Sequence, residues 1–344
     1  MPESKHKQDF CESFTIFALK FSFNLLGLLK MFQRNIKVLQ NVNYLLSKNG
    51  SCMRHLSTVP TEKVAQNYCL NLVRQHDKEN FLCTLLLKNP ERRHALAIRA
   101  FNVEIARITG TVSDDKIGQL RLKFWEDTIG RLHRSDNPDH VPEQPVVQEL
   151  KVAIDAAKLT KRYFQRLISS RLNANLRFVT TKQLEEYAEH SVSSVLYLLL
   201  EVHGVRNVHA DHAASHLGKA QGIVNLLRSI PRQERRNVVP VPQELLIAHG
   251  VSQERVLRNK RDDKGVEEVV FQLAGLANQH LEKARALWGS VPKEARPVFL
   301  PAVTTGRFLE RLRRVNFHLT DSSLLQSDAM LPLAIYWGNF RGKI

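Results

Sequence analysis

Cysteine is scarce in this chain: four in 344 residues, at positions 11, 52, 69 and 83. No two share the close spacing of a metal knuckle, and no disulfide framework is indicated, which fits a reducing interior. Glycine and proline are sparse too, at 15 and 13, too few for a low-complexity protein. No stretch alternates apolar and polar residues for long enough to make a useful strand. After residue 60 no apolar run reaches the roughly 20 residues that a spanning helix needs. The sharpest absence is local: from Ser13 to Thr61 there is not one Asp or Glu.

What fills that acid-free stretch is basic and amphipathic. From Met31 onward Arg34, Lys37, Lys48 and Arg54 are spread among Leu, Val, Ile and Phe, the description of a mitochondrial transit peptide. Arg54-His55-Leu56-Ser57 resembles a matrix-peptidase cleavage site, and Met31 reads as an alternative start because Glu3, Asp9 and Glu12 precede it. The run Phe14 to Leu29 is a rival membrane anchor, but it is short and holds Lys20 and Asn24. Residues 1–60 are therefore expected to be a targeting leader, and 61–344 the body. The net charge of +16 divides into +5 for the leader and +11 for the body. A basic body favours an anionic partner such as phospholipid; the same charge also fits an alkaline, negative-inside compartment. No aromatic-plus-basic RNA motif accompanies it, so no nucleic-acid partner is expected.

The body is expected to be all-α. After Pro60 apolar residues recur at helical spacing, as in Ala95, Leu96, Ile98, Phe101, Ile105 and Ile108. Ser113-Asp114-Asp115 reads as a helix start, Ser capping and acids in the first turn. Asn137 to Pro145 reads as the clearest loop. Further helices are predicted near 146–172, 181–202, 208–230, 242–248, 252–258, 266–288, 292–300 and 305–314. One helical domain of about 280 residues is the simplest architecture.

Four stretches, in order, resemble the squalene/phytoene synthase family. Phe81 to Phe101 is similar to its opening helices, with Arg99-Ala100-Phe101 where the family has Tyr-Ala-Phe. Leu120 to Leu132 places Trp125 at the family's Trp. Leu184 to Ala188 is similar to its Leu-x-x-Tyr-Cys. Gly218 to Ser229 is close to its Gly-x-Ala-x-Gln-Leu-Thr-Asn-Ile-Leu-Arg-Asp. The resemblance implies an isoprenoid-synthase-like helical domain around a central cavity, where active members join two prenyl diphosphates. That chemistry needs two Asp-rich motifs on facing helices, because carboxylates four residues apart share a helical face and can hold the magnesium ions that grip a diphosphate.

Here those motifs fail. The first falls on Ala106-Arg107-Ile108-Thr109-Gly110 and the second on Ser229-Ile230-Pro231-Arg232-Gln233. The family's Gln before the second is Gly222, whereas Asn225 and Arg228 are kept. Arg99 to Ala106 and His209 to Val224 resemble one branch in particular, mitochondrial complex I assembly factors with degenerate synthase motifs. What this implies is a non-catalytic protein without cofactor, on the matrix side of the inner membrane, whose partners are complex I subunits or assembly intermediates. A working prenyl transferase is the alternative. Asn102, Glu104, Arg107, Tyr187, Asn225, Arg228, Ser229 and Gln233 are expected to mark the vestigial cavity. Phe101, Ile105, Leu196 and Leu227 are expected to keep it open to an isoprenoid or lipid tail.

Two other constellations carry less. His209, His212 and His216 share a helical face, but no Cys or Glu in sequence completes a metal set, so no metal is expected. Arg307, Arg311 and Arg314 lie opposite Phe308, Leu309, Leu312 and Val315; such a helix suits an anionic membrane surface and equally a solvated face.

Overall fold

The computed structural model describes residues 61–111, 115–134, 142–172, 177–232, 239–258 and 263–344. The expected leader, the Ser113-Asp114 cap, most of the 137–145 loop and Gln233 lie outside the described residues. The described residues contain helices and no strand.

The first half packs around α3. α1 (Thr61–His76) and α2 (Lys78–Leu85) lead into α3 (Glu91–Thr111), followed by α4 (Asp115–Leu132), α5 (Pro145–Ala157) and α6 (Lys161–Leu172). Phe101 of α3, fully buried, meets Trp125 of α4 at 5.2 Å and Phe164 of α6 at 5.5 Å, both edge to face, the arrangement aromatic quadrupoles favour. Arg93 of α3 forks onto Glu149 of α5 at 2.7 and 2.9 Å and reaches Glu62 of α1 at 2.8 Å. Glu149 is only 3% exposed, so removing Arg93 would strand a buried charge.

The second half begins with α7 (Thr181–Ala188), a π turn (Glu189–Ser193) and α8 (Ser194–Val202). Every residue from Ser194 to Leu200 is buried, as expected of a helix apolar on all sides. α9 (Val208–Ser229) starts where Asn207 accepts a hydrogen bond from the Ala210 amide at 3.0 Å and packs along α12 (Lys264–Ala286). Between them lie α10 (Gln243–Ala248) and α11 (Gln253–Arg258); after them come α13 (Pro301–Arg314), α14 (Ser322–Leu325) and α15 (Leu331–Arg341).

The structure departs from the sequence reading in four places. The helix predicted over 146–172 is two, broken at Lys158, whose φ of 52° ends α5. The helix predicted over 181–202 contains the π turn. The 292–300 segment is a 3₁₀ helix with Pro297 inside, because proline removes an amide that an α-turn needs. The C-terminal helix α15 was not anticipated: its apolar residues do not fall on one stripe.

Candidate functional site

Asn102 and Ala106 on α3, and Gln221 and Asn225 on α9, stand four residues apart on two helices and line one cavity of about 290 Å³. The spacing puts each pair on one helical face. Arg99 also comes from α3, Arg171 from the end of α6, Ser191 from the π turn, Leu196 from α8, and Asp77 with Asn80 from the α1–α2 junction. His76, Ala106, Arg107 and Asn225 are exposed at the rim, whereas Arg99, Ser191, Leu196 and Gln221 are buried at the floor.

The floor is polar and incompletely satisfied. Asn80 donates to Asp77 at 2.9 and 3.0 Å and accepts from Gln221 at 3.2 Å. Arg99 is 5% exposed, and its nearest carboxylate oxygen, on Asp77, stands 4.0 Å away, too far for a hydrogen bond. Burial lowers the pKa of Arg99, opposed by the Asp77 charge, and burial raises that of Asp77 against the pull of Arg99 and the Asn80 bonds. Arg99 Nε, Asn102 Oδ1, Arg171 Nε and Ser191 Oγ are buried without a hydrogen-bond partner. An unmade bond of this kind costs about 1–3 kcal/mol, more for a charged group.

Of the expected cavity positions, Asn102, Arg107 and Asn225 do line it. Glu104 turns the other way, accepting from the Tyr68 hydroxyl at 2.9 Å beside a separate groove that includes Arg121 and Trp125. Tyr187 stands behind the lining, hydrogen-bonded to Arg171. Arg228 pairs with Glu79 at 2.6 Å and lies 4.4 Å over the Phe308 ring. The Ser229 hydroxyl donates to its own helix at Leu226 O, 2.7 Å away. Of the four apolar positions only Leu196 lines the cavity; Phe101, Ile105 and Leu227 are fully buried members of the packed core. Sequence reasoning missed Asp77 and Ser191 altogether. It placed Arg99 only within the resemblance to the family's opening helices and did not assign Arg171 to the site, although both line the cavity.

Magnesium does not fit this donor set. Ala106, at a position where the resemblance places an aspartate, has no side-chain oxygen to offer, and Asp77 is the one carboxylate among the described lining residues, against three guanidiniums. Among the described residues no group of three or more His, Cys, Asp or Glu could hold a metal ion. His216 instead meets His280 of α12, their Nδ1 atoms 3.0 Å apart, and His280 Nε2 lies 3.1 Å from Glu185. Cys69 and Cys83 are free and buried, and burial pushes both thiols up to about 12, which keeps them unreactive.

The arginines of α13 are not a single solvated face. Arg307 forks onto Asp328 at 2.7 and 3.0 Å, Arg311 donates to the Ser323 and Gln326 carbonyls, and Arg314 pairs with Glu310 at 3.1 Å. More apolar surface is exposed on α15, where Met330 just before it, Leu333, Trp337 and Phe340 are 57, 40, 40 and 66% exposed.

The squalene/phytoene synthase family model matches residues 73–332. The chain is 47% identical over 296 residues to the Drosophila melanogaster NADH dehydrogenase (ubiquinone) complex I, assembly factor 6 homolog, covering 85% of this chain and 89% of the fly protein. It is 43% identical over 278 residues to the Homo sapiens NADH dehydrogenase (ubiquinone) complex I, assembly factor 6, covering 80% of this chain and 82% of the human protein. A solved dehydrosqualene synthase superposes with a TM-score of 0.70 at 19% identity, covering 81% of this chain and 97% of that structure.

Proposed function

The chain belongs to the squalene/phytoene synthase family, and on that scaffold we propose that it acts as a non-catalytic assembly factor for mitochondrial respiratory complex I. The observation that carries this reading is the 47% identity, along nearly the whole of both chains, to a protein named for complex I assembly. Ala106 and Ser229, at positions of the family's metal-binding aspartates, agree with it. An ionising diphosphate needs its developing charge stabilised, and this lining offers no metal cluster to do so. The protein's partners on this reading are complex I subunits or assembly intermediates, and an isoprenoid or lipid bound in the cavity would go unreacted.

The reading extends to place. Residues 1–60 serve as the leader, and the body from Thr61 works at the matrix face of the inner membrane. Among the described residues no helix is long and apolar enough to cross a membrane, which supports peripheral attachment. Arg307 and Arg311 are committed to the C-terminal segment. The exposed side of α15 therefore suits the membrane surface better. Trp337 stacks on Phe340 at 5.8 Å, and the Arg341 guanidinium lies 5.7 Å from the Trp337 ring, an aromatic-plus-basic pairing favoured at lipid interfaces.

Depletion of the protein from its own cells, followed by native electrophoresis of mitochondrial membranes, tests the role. Loss of assembled complex I, restored by re-expression, is the expected result. Normal complex I after complete depletion would overturn it.

A further inference from the structure

Four residues that line the α3–α9 cavity each carry a buried side-chain polar atom without a hydrogen-bond partner: Arg99 Nε, Arg171 Nε, Ser191 Oγ and Asn102 Oδ1. Native interiors leave few such atoms, and a cluster of them calls for a missing occupant. Two are guanidinium donors, a hydroxyl can turn to donate, and an amide can present either end. Among the described residues Arg99, at 5% exposure, has Asp77 as its one carboxylate within ion-pair range, at 4.0 Å. That carboxylate already accepts two bonds from Asn80. Arg171 brings a second guanidinium to the lining, where Asp77 is the one carboxylate among the described residues. A buried cation so poorly matched favours an anion in contact with it.

We propose that this cavity is a metal-independent binding site for a phosphoryl-type anion, gripped by Arg99 at the floor and by the half-buried Arg171 beside it. Planar guanidiniums grip phosphoryl oxygens in pairs. The site thus reverses the chemistry expected of the scaffold: positive side chains take the anion directly, where aspartates would have taken it through magnesium. About 290 Å³ is at the small end of ligand sites. It has room for a head group and a short apolar stretch against Val195 and Leu196, not for two prenyl chains. Burial holds the Arg99 pKa below the usual arginine value, and an anion beside it would reverse that. Anion binding and complex I assembly are separable properties: either can hold without the other.

Titration calorimetry on the full chain tests this, in phosphate-free buffer stripped of metal by resin rather than by a chelator, itself a polyanion. One arm uses inorganic pyrophosphate, the other a short-chain lysophosphatidate below its micelle concentration. Saturable one-site binding without metal is expected for at least one probe. Arg171→Gln and Arg99→Met should each weaken it tenfold or more, Arg171→Lys less so, and the surface change Arg258→Gln not at all. Tighter pyrophosphate binding would assign a free anion, and tighter lysophosphatidate binding a lipid head group. If Arg99→Met fails to fold, Arg171→Gln and Ser191→Ala carry the comparison. The proposal is overturned if neither probe binds without metal, if binding appears only on adding magnesium, or if the cavity variants bind like the parent.

Discussion

A Cβ on Gly218 would fall 2.1 Å from the Ser193 hydroxyl and 2.6 Å from its backbone, so α9 meets the π turn at a distance only glycine allows. The same turn places Ser193, Tyr197 and Ser215 around Glu189 at 3.0, 2.6 and 2.8 Å. Burial pushes the Glu189 carboxyl up, but those three bonds outweigh it and the net shift is down. Gly218→Ala should therefore force the two elements apart and cost on the order of 2 kcal/mol or more, read as a fall of several degrees in Tm. Gly275, on α12 with nothing within 4 Å of its own Cβ position, is the control. Gly275→Ala should be neutral or stabilise by up to about 1 kcal/mol. Equal effects of the two changes would contradict the close approach.

Acid should destabilise the protein through His216. Burial, then His280 and nearby Lys219 and Lys283, lower its pKa to about 4, whereas an unfolded imidazole titrates near 6.5. Between those values the unfolded chain binds the extra proton, so stability falls as pH drops from about 6.5 towards 4 and this contribution then levels off. Tm measured from pH 7 to 5 should decline, and His216→Gln should flatten the decline. A decline that His216→Gln leaves unchanged would exclude this histidine as its source.

The C-terminal segment is held by Arg307 and Asp328, a forked pair with 38 and 13% side-chain exposure. Asp328→Asn should loosen 322–344 at a cost of about 1 kcal/mol, seen as faster amide exchange in α15. Unchanged exchange there would show that packing of Leu331 and Ile335 alone holds the helix.

Membrane attachment separates α15 from α13. Trp337→Ser with Phe340→Ser should reduce sedimentation with anionic vesicles several-fold and leave Tm nearly unchanged, because both rings are exposed. Arg314→Glu should weaken it less, and more so at low salt, since surface charge is screened over about 8 Å at physiological ionic strength. The reverse order would return the contact to the arginine face of α13.

Helix positions were legible because burial stripes repeat every 3.6 residues, and α9 follows its predicted span almost residue for residue. The π turn was not, since Glu189-His190-Ser191-Val192-Ser193 reads as ordinary helix until α9 presses on it. The cavity was half legible. Asn102, Arg107 and Asn225 follow from their place on α3 and α9, but Asp77, Arg171 and Ser191 arrive from segments no local pattern links. Arg228 was misplaced because its partner, Glu79, lies 149 residues away. Arg307 reads as solvated until the chain returns with Asp328. Gly222, where the family carries glutamine, has its physical reason in packing. A Cβ there would sit 2.5 Å from that of Ala188, leaving no space for a longer side chain.

Incubation of the purified protein with labelled farnesyl or geranylgeranyl diphosphate and magnesium tests the proposed non-catalytic role most directly. On the proposed reading, with Ala106 and Ser229 where the resemblance places metal-binding aspartates, no pyrophosphate release or coupled prenyl product above the protein-free control is expected. Magnesium-dependent turnover that scales with protein concentration would contradict the account and identify a working prenyl transferase.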